Sequence, residues 1–296
     1  MAHTEKISFK QFRARFATEN DCKNFLYKLR WPGGFICPRC GCHEFSFVKR
    51  RKLFQCSHCR HQTSLTTGTV MHRTHLPMTI WFWAIYLLSR DKRGISATQL
   101  AAELEISYES AWYLLYRIRK AMGQREHNYF LSGITELDDT YFGGADLGGK
   151  RGRGTDKMKI MVALSKSEAG RPKYLKMQVI DNLKGETISA FAEGNIEYGS
   201  AIQSDGYHSY RKPLADDYNH QFKLFDSDAE MLHWLHVVVG NMKTFLLGTY
   251  HGNCKKNLQM YLDEFCYRFN RRAFKDELFS RLLHAVTESY ILGVAV

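Results

Sequence analysis

The spacing of hydrophobic positions changes along the chain at about residue 131. Before this point, apolar residues recur at helical intervals; in the segment that begins at Pro77, for example, Trp81, Ile85 and Leu88 fall on one face. After it, five short segments have the alternation and the β-branched and aromatic content of strands. These predicted strands are ITELDDTYF, KIMVALSKSE, KYLKMQVI, GSAIQSDGY and HQFKLF.

Helices are predicted between and after these strands. KGETISAFAEGN, between the third and fourth strands, has a helical pattern, a short helix separates the fourth from the fifth, and a long helix is expected from about Asp228 to Tyr250. This order of elements predicts a ribonuclease-H-like α/β domain, in which the first and fourth strands lie side by side. Carboxylates on those two strands would then meet at one edge of a site.

Three polar residues of this predicted domain are candidate catalytic residues and metal ligands: Asp138 in the first strand, Asp205 in the fourth and Asn241 in the long helix. Asp205 and Asn241 have 35 residues between them, the interval typical of the second and third metal ligands in nucleases of this fold. By the strand period of two, Glu136 and Asp138 share one face and Asp139 points to the other. This alternation favours Asp138 over Asp139.

Oxygen ligands of this kind suit Mg²⁺ or Mn²⁺. In-line attack on a phosphodiester uses two hard cations about 4 Å apart, held by at least two carboxylates, so two ions per active site are predicted. Because the Asn241 amide brings no charge, the second ion is expected to bind more weakly unless Glu136, Glu230 or a DNA phosphate contributes. Taken singly, Asp205 could instead form a turn, Asp138 could cap a strand end, and Asn241 could lie on a helix surface.

Cysteine spacing predicts a second metal site. Cys37 and Cys40 form one C-x-x-C pair, Cys56 and Cys59 form another, and 15 residues separate the pairs. Tetrahedral zinc takes four soft ligands from two such turns, so this pattern is typical of a structural zinc ribbon. Disulfides are the alternative, which a cytosolic chain disfavours. Nearby residues that could replace a ligand are Cys42, His43, His58 and His61.

Two short helices joined by a tight turn are predicted after residue 90. Ser96 is expected to cap the first, TQLAAELE, with Gln99 completing a capping box, and the second begins at Ser107. This arrangement is typical of a helix-turn-helix motif, whose second helix reads a DNA groove, although any amphipathic helical hairpin gives a similar pattern. The predicted DNA-contacting residues are Tyr108, Glu109 and Ser110 at the start of the second helix and Arg117, Arg119 and Lys120 near its end.

The net charge is concentrated in the first part of the chain. Residues 1–130 hold 21 Lys and Arg against 9 Asp and Glu, whereas residues 131–296 hold 21 of each. So basic a region fits a polyanionic partner, and nucleic acid fits better than a membrane since no basic amphipathic helix is evident. A solubilising positive surface is the alternative. In GGKRGRG, Lys150, Arg151 and Arg153 are further candidate phosphate contacts, unless this segment is a solvated flexible loop.

These patterns predict three domains: an N-terminal helix and zinc ribbon (1–70), a helical, helix-turn-helix region (71–130) and a ribonuclease-H-like catalytic domain with C-terminal helices (131–296). A chain of 296 residues with 44% hydrophobic content can bury the cores that this division needs. The longest apolar stretch, Met78 to Leu88, is too short to cross a bilayer, and the first residues lack the apolar core of a signal peptide. We therefore expect a cytoplasmic, nucleoid-associated protein.

Several motifs of the chain together resemble one family of proteins. They span nearly its full length and are RWPGGFICPRCG, TSLTTGTVMH, ELDDTYFGG, SDGYHSY, FLLGTYHG and YLDEFCYRFNRR. The chain resembles the bacterial insertion-sequence transposases of the DDE superfamily, in the zinc-ribbon, ISXO2-like group related to the Merlin elements. The resemblance implies that Asp138 and Asp205 are the family's acidic residues and that Asn241 takes the third place, where most DDE enzymes have Glu. It also implies a basic residue after the third position, for which Lys243 and Lys255 are both candidates.

The resemblance and the residues together predict a transposase that binds the inverted repeats of its element, cleaves the DNA ends with metal ions and joins them to target DNA. Its partners would be double-stranded DNA and further copies of itself, because the pairing of two ends favours a homodimer or a higher homo-oligomer. Two alternatives remain open at this point: a non-catalytic DNA-binding regulator derived from a transposase, and a related structure-selective nuclease. Only the transposase requires inverted repeats that bracket its gene.

Overall fold

The computed structural model describes residues 7–144, 155–223, 232–250 and 255–289. The chain divides into two compact units: the first unit holds the described residues of Met1–Gln124 and Phe274–Val296, and the second unit holds those of Arg125–Ala273. The boundary after Gln124 lies near the predicted limit at residue 130. The expectation that all of 131–296 forms one domain differs from the structure, because the C-terminal segment belongs to the first unit.

The elements before residue 130 are mostly helical. The helices are α1 (Phe9–Arg15), α2 (Glu19–Arg30), α3 (Met78–Arg90), α4 (Ala97–Leu104) and α5 (Tyr108–His127), and the strands are β1 (Phe45–Val48), β2 (Leu53–Cys56) and β3 (Gln62–Thr63). The three strands form an antiparallel sheet in the order β1-β2-β3.

The elements after residue 130 alternate between strands and helices. The strands are β4 (Ile134–Phe142), β5 (Met158–Lys166), β6 (Pro172–Ile180), β7 (Ala201–Asp205) and β8 (Asn219–Lys223). The helices are α6 (Gly185–Asn195), α7 (His208–Ala215), α8 (His233–Thr249), α9 (Leu258–Asn270) and α10 (Leu278–Glu288), with short 3-10 turns at Lys255–Asn257 and Arg272–Glu277.

The second unit contains a five-stranded sheet in the order β6-β5-β4-β7-β8. β6, β5 and β4 pair in antiparallel fashion, whereas β4 with β7 and β7 with β8 are parallel. The five predicted strands and the adjacency of the first and fourth are therefore confirmed. The predicted long helix corresponds to α8, which begins at His233; the predicted start at Asp228 lies outside the described residues.

Helices cover both faces of this sheet. Ile160, Val162 and other even-numbered positions of β5 pack in a core cluster with residues of α8 and α9. Met161 and Ala163 pack on the other face, in a cluster with residues of α6 and α7. A strand buried on both faces reads as a continuous apolar run, which explains the sequence KIMVAL. β4 and β7, in the middle of the sheet, carry the acidic residues Asp138 and Asp205.

The helix α10 belongs to the first unit because it has an apolar stripe that packs on α3 and α2. Phe279, Leu282, Leu283 and Val286, at positions i, i+3, i+4 and i+7, are all buried. The Phe279 ring lies 5.5 Å from the Phe12 ring, centroid to centroid, in an edge-to-face contact. Within the described residues, no helix combines the length and the apolarity that crossing a membrane would require.

The helices α4 and α5 form the predicted helical hairpin. Ser96 accepts a hydrogen bond from the Gln99 amide nitrogen, as a cap does, but the Gln99 side chain donates to Glu103 at 2.9 Å, so the predicted capping box is only half present. Glu105 ends α4 in a left-handed conformation, and the Ser107 hydroxyl accepts from the Ser110 nitrogen at the start of α5. The turn is thus as short as the sequence predicted, while the DNA-reading role of α5 stays a prediction.

A buried charged cluster joins α5, β6 and α9 in the second unit. The Glu126 carboxylate accepts hydrogen bonds from the side chains of Asn270 and Arg271, and the Lys176 ammonium donates to the Glu126 backbone carbonyl. Glu126 and Lys176 are 7% and 5% exposed. Burial lowers the pKa of Lys176, and the charge of Glu126 acts in the opposite direction. Glu126 is therefore an anion that compensates the buried Lys176 and the largely buried Arg271.

Replacement of Glu126 should destabilise the protein strongly. Glu126→Ala leaves Lys176 and Arg271 buried without their anion, and breaking a buried pair on one side costs about 3–5 kcal/mol. Urea unfolding followed by tryptophan fluorescence would measure this loss. The exposed Glu197 provides the matched control, since Glu197→Ala should change the free energy of unfolding by less than about 0.5 kcal/mol. Equal stability of the two variants would contradict the proposed compensation.

Candidate active site and zinc centre

The parallel pairing of β4 and β7 brings the two predicted aspartates together. Glu136 pairs with Gln203 and Leu137 with Ser204, so the next positions along the two strands are Asp138 and Asp205. Side chains at paired positions of neighbouring strands point to the same face of the sheet, and their strands lie about 4.8 Å apart. Asp205 ends β7, and its Oδ1 accepts a hydrogen bond from the Tyr207 nitrogen at 3.1 Å, which fixes the turn into α7.

Asp138 is largely buried, with 15% of its side chain exposed. Its Oδ1 accepts from the Asp139 nitrogen at 2.8 Å, and its Oδ2 lies 3.3 Å from His236 Nε2. Burial raises the pKa of Asp138, the charges of Asp139 and Asp205 raise it further, and the hydrogen bond with His236 lowers it. A divalent cation would relieve this kind of repulsion between neighbouring acidic groups.

His236 is a functional candidate that the sequence reasoning missed. It lies in the first turns of α8, and the hydrogen bond with Asp138 raises its pKa, while burial acts in the opposite direction. The charges of Glu136 and Asp205 also raise that pKa, although 57% of the His236 side chain is exposed. The signal in the sequence was weak: a histidine five positions before Asn241, near the start of the predicted helix.

Asp139 points to the opposite face of β4, as the strand period predicted. Its Oδ2 accepts from the Tyr141 hydroxyl at 2.6 Å, and its Oδ1 accepts from the Tyr210 hydroxyl at 2.8 Å. Tyr210 lies on α7 and is fully buried, and burial raises its pKa. Asp139 therefore ties β4 to α7, the helix that follows Asp205.

Glu136 supports the site from within the protein. It is 4% exposed; its Oε1 accepts from Lys166 Nζ at 3.0 Å, and its Oε2 accepts from the Leu235 nitrogen at 3.1 Å. Leu235 lies in the first turn of α8, where the unpaired backbone N–H groups of a helix favour an anion. Lys166 Nζ also donates to Gln203 Oε1 on β7 at 2.7 Å. Both oxygens of Glu136 thus serve to hold α8 and the strands together.

Asn241 is exposed on α8, on the same helix as His236. The two positions are five residues apart, which corresponds to about 7.5 Å along the helix axis and about 140° around it. Lys243, seven residues after His236 and half-buried, returns to the His236 side of the helix. Asn241 as the third ligand therefore stays a prediction, and so does the choice between Lys243 and Lys255 as the basic residue that follows it. Residues outside the described set are Glu230, Lys150, Arg151 and Arg153, together with the side chain of Lys255.

Two of the predicted DNA contacts, Arg117 and Arg119, are buried instead. Arg117 is 7% exposed and donates to the backbone carbonyls of Val70 and His72 at 3.0 and 2.7 Å. Arg119 is 2% exposed and donates to the Ile95 carbonyl at 3.2 Å. Both guanidinium groups satisfy loop carbonyls inside the first unit, so neither presents a surface to phosphate. The other predicted contacts on α5 lie at the surface or partly so: Tyr108, Glu109 and Lys120 are exposed and Ser110 is half-buried.

The four cysteines of the two C-x-x-C pairs converge. Their Sγ atoms all lie within 4.8 Å of one another, with Cys37 to Cys59 and Cys40 to Cys56 both at 3.6 Å. A disulfide requires about 2.05 Å, whereas ligands about 2.3 Å from a tetrahedral zinc ion lie about 3.8 Å apart. The geometry therefore fits a structural zinc ion and excludes the disulfide alternative for these four thiols. Among the described residues, this is the cluster of His, Cys, Asp and Glu side chains whose geometry suits a metal ion.

The strand order, the paired aspartates where the first and fourth strands meet, and the four-cysteine ribbon together define a ribonuclease-H-like protein with a zinc-ribbon N-terminus. Comparison of the sequence with known families agrees with this class. The ISXO2-like transposase domain matches residues 130–270, and the transposase zinc-ribbon domain matches residues 17–62. The chain belongs to the ISXO2-like transposase family, and so to the DNA-processing enzymes.

Individual relatives are more distant. An uncharacterized protein in the transposable element ISH50 of Halobacterium salinarum is 25% identical over 221 residues, which cover 65% of this chain and 73% of the relative. The match to the crystal structure of the Mos1 strand transfer complex covers 71% of this chain and 78% of the Mos1 chain, at 13% identity and a TM-score of 0.31. The match to the Mos1 mariner paired end complex with Mn covers 70% of this chain and 75% of the Mos1 chain, at 13% identity and a TM-score of 0.28.

Purified protein should contain about one zinc ion per chain, because one four-cysteine site is present. Cys59→Ser should lose that zinc, which plasma emission spectrometry can measure, together with specific DNA binding. Cys22→Ser is the control, since Cys22 is buried on α2 away from the cluster and should leave the zinc content unchanged. Full zinc content in Cys59→Ser would exclude this ligand set.

Proposed function

We propose that this protein is a DNA transposase that binds the terminal inverted repeats of its element, hydrolyses the phosphodiester at each end and transfers the freed 3′-hydroxyl to target DNA. The observation that carries the proposal is the position of Asp138 beside Asp205 on adjacent parallel strands. Membership of the ISXO2-like transposase family supports the same reaction. The cytoplasm, with the nucleoid, is the compartment in which such a reaction would take place.

In this proposal Asp138 and Asp205 hold Mg²⁺ or Mn²⁺ through their carboxylates, two ions per site, and the Asn241 amide oxygen completes the set. When bound, such ions help to deprotonate the attacking hydroxyl and stabilise the leaving oxygen. His236 holds Asp138 Oδ2 by a hydrogen bond, so it fixes the direction in which that carboxylate faces. Glu136 fixes the start of α8 on β4, and Asp139 fixes α7 behind Asp205.

The basic part of the chain would bind the element ends. Residues 1–130 have twelve more basic than acidic residues, and each phosphate that Lys or Arg neutralises releases counterions. On α5, Tyr108, Glu109, Ser110 and Lys120 remain the proposed contacts, with Lys150, Arg151, Arg153 and Lys243 as further candidates. Two ends must be held at once, so a homodimer or a higher homo-oligomer is the proposed active form.

The test is incubation of the purified protein with a labelled duplex that carries one element end and Mg²⁺, with and without unlabelled target DNA. A transposase should cut at the end and, with target present, should also give a longer joined product. Binding without metal-dependent cutting would favour a regulator. Cutting of branched DNA regardless of the end sequence would favour a structure-selective nuclease.

The role of Asn241 can be tested by two substitutions. Asn241→Ala should lose cleavage almost as fully as Asp138→Ala or Asp205→Ala, with DNA binding unchanged. Asn241→Glu should keep some activity because it restores a charge, although a ligand misplaced by about 1 Å can cost about 100-fold in rate. Single-turnover cleavage of a labelled end measures both effects.

The half-buried helical residue Ser189 on α6 provides a control, since Ser189→Ala should cleave like the wild type. If Asn241→Ala also cleaves at the wild-type rate, Asn241 is a surface amide. The third ligand would then have to be sought at Glu230, because both oxygens of Glu136 already accept hydrogen bonds from the protein.

A further inference from the structure

The turn between β1 and β2 carries four consecutive basic residues, Lys49, Arg50, Arg51 and Lys52, and all four are exposed. The turn is held by backbone hydrogen bonds from Arg51 to Val48 at 3.1 Å and from Lys52 to Lys49 at 3.3 Å. Arg51 also donates to Gln62 Oε1 on β3. The backbone of the turn is thus held in place, and the four basic residues lie together at the tip of a short antiparallel ribbon.

Lys52 has a left-handed backbone conformation, with φ of 55°. This region disfavours residues with a Cβ atom, so glycine or asparagine would form the turn more easily. A lysine at this position adds charge to the tip at the expense of turn stability. Such a trade is common where a side chain has a binding role.

An apolar surface lies next to the basic tip. Phe45 and Phe47 point to one face of the ribbon and are 38% and 49% exposed. Their inner edges are packed: the Phe45 ring lies 5.0 Å from Phe35, and the Phe47 ring lies 5.2 Å from Phe54, between centroids. Because these rings are already held by the aromatic core of the ribbon, little conformational entropy is lost when their outer faces make a contact.

We infer that the β1–β2 ribbon is a docking surface for double-stranded DNA, in which the side chains of Lys49 to Lys52 bind backbone phosphates and Phe47 packs against sugar or base in the adjoining groove. Charge complementarity identifies the partner, and a two-stranded ribbon has the width that the major groove admits. The burial of Arg117 and Arg119 adds to the argument, because it removes two cations from the exposed surface of α5. This inference rests on the proposed function and names the surface that function would use.

The first test removes two charges from the tip without weakening the fold. Arg50→Ala with Lys52→Gly, in the full-length zinc-loaded protein, should keep the zinc content and the melting temperature, since glycine suits the left-handed position. Its affinity for a duplex carrying the element end should fall roughly tenfold at moderate salt. The slope of log K against log salt is negative and should become shallower by about 2. Fluorescence anisotropy over a salt series measures both quantities.

The matched control removes two exposed lysines of the second unit, by Lys184→Ala with Lys212→Ala. It changes the net charge equally and should leave the affinity and the salt slope close to the wild-type values. Phe47→Ala should lower the affinity with an unchanged slope, because an apolar contact releases no counterions.

The outcomes separate the two proposals. If the wild type binds and cuts element ends but the tip variant has the same affinity and slope, the ribbon surface is wrong while the proposed function stands. If the tip variant and the control lose the same affinity for the duplex, the effect depends on net charge alone. That result would also overturn the inference. Unchanged DNA binding with a lost homo-oligomer would assign the ribbon to a protein partner instead. Failure of the wild type to bind end DNA would overturn both.

Discussion

The hydrogen-bonded ladder between β4 and β7 is the contact on which the candidate active site depends. Asp138 and Asp205 are far apart in sequence, and only the register of this parallel pair makes them neighbours. A slip of one residue would turn Asp138 to the other face of the sheet. Both faces oppose such a slip, because Leu137 is buried in the cluster with α6 and α7 while Glu136 is bonded on the side of α8. The register is therefore fixed by apolar burial on one face and by a charged network on the other.

The charged network around Glu136 is better explained by its role in positioning α8 than by a contribution to the free energy of unfolding. Burial of an ion pair costs desolvation free energy that the mutual attraction often only offsets. Here one carboxylate joins Lys166 on β5, the backbone of Leu235 on α8 and, through Lys166, Gln203 on β7. Each of these elements borders the position of Asp138. An apolar replacement could fill the same space, but it could not orient the first turn of α8, which carries His236 next to that aspartate.

The sequence was sufficient for features that depend on local pattern and insufficient for those that depend on distant partners. The five strands, the opposite orientations of Asp138 and Asp139 and the four-cysteine cluster follow from period and spacing, which a few neighbouring residues determine. The packing of α10 in the first unit required knowledge of α3, almost 200 positions earlier in the chain. Arg117 was misjudged for the same reason, because the carbonyls that bury its charge belong to Val70 and His72, and no periodicity of α5 reveals them.

The zinc-ribbon cysteines and the aspartate pair differ in how much of the fold they need. Each C-x-x-C pair sets two sulfur ligands within one tight turn, and three short strands bring the turns together. The zinc site is thus assembled from a short span of chain, and zinc in turn stabilises a ribbon whose own core is small. The aspartate pair exists only when β4 and β7, which are far apart in the sequence, have paired in the correct register. The zinc site can therefore form before the aspartate pair, since the pair requires long-range strand pairing and the zinc site does not.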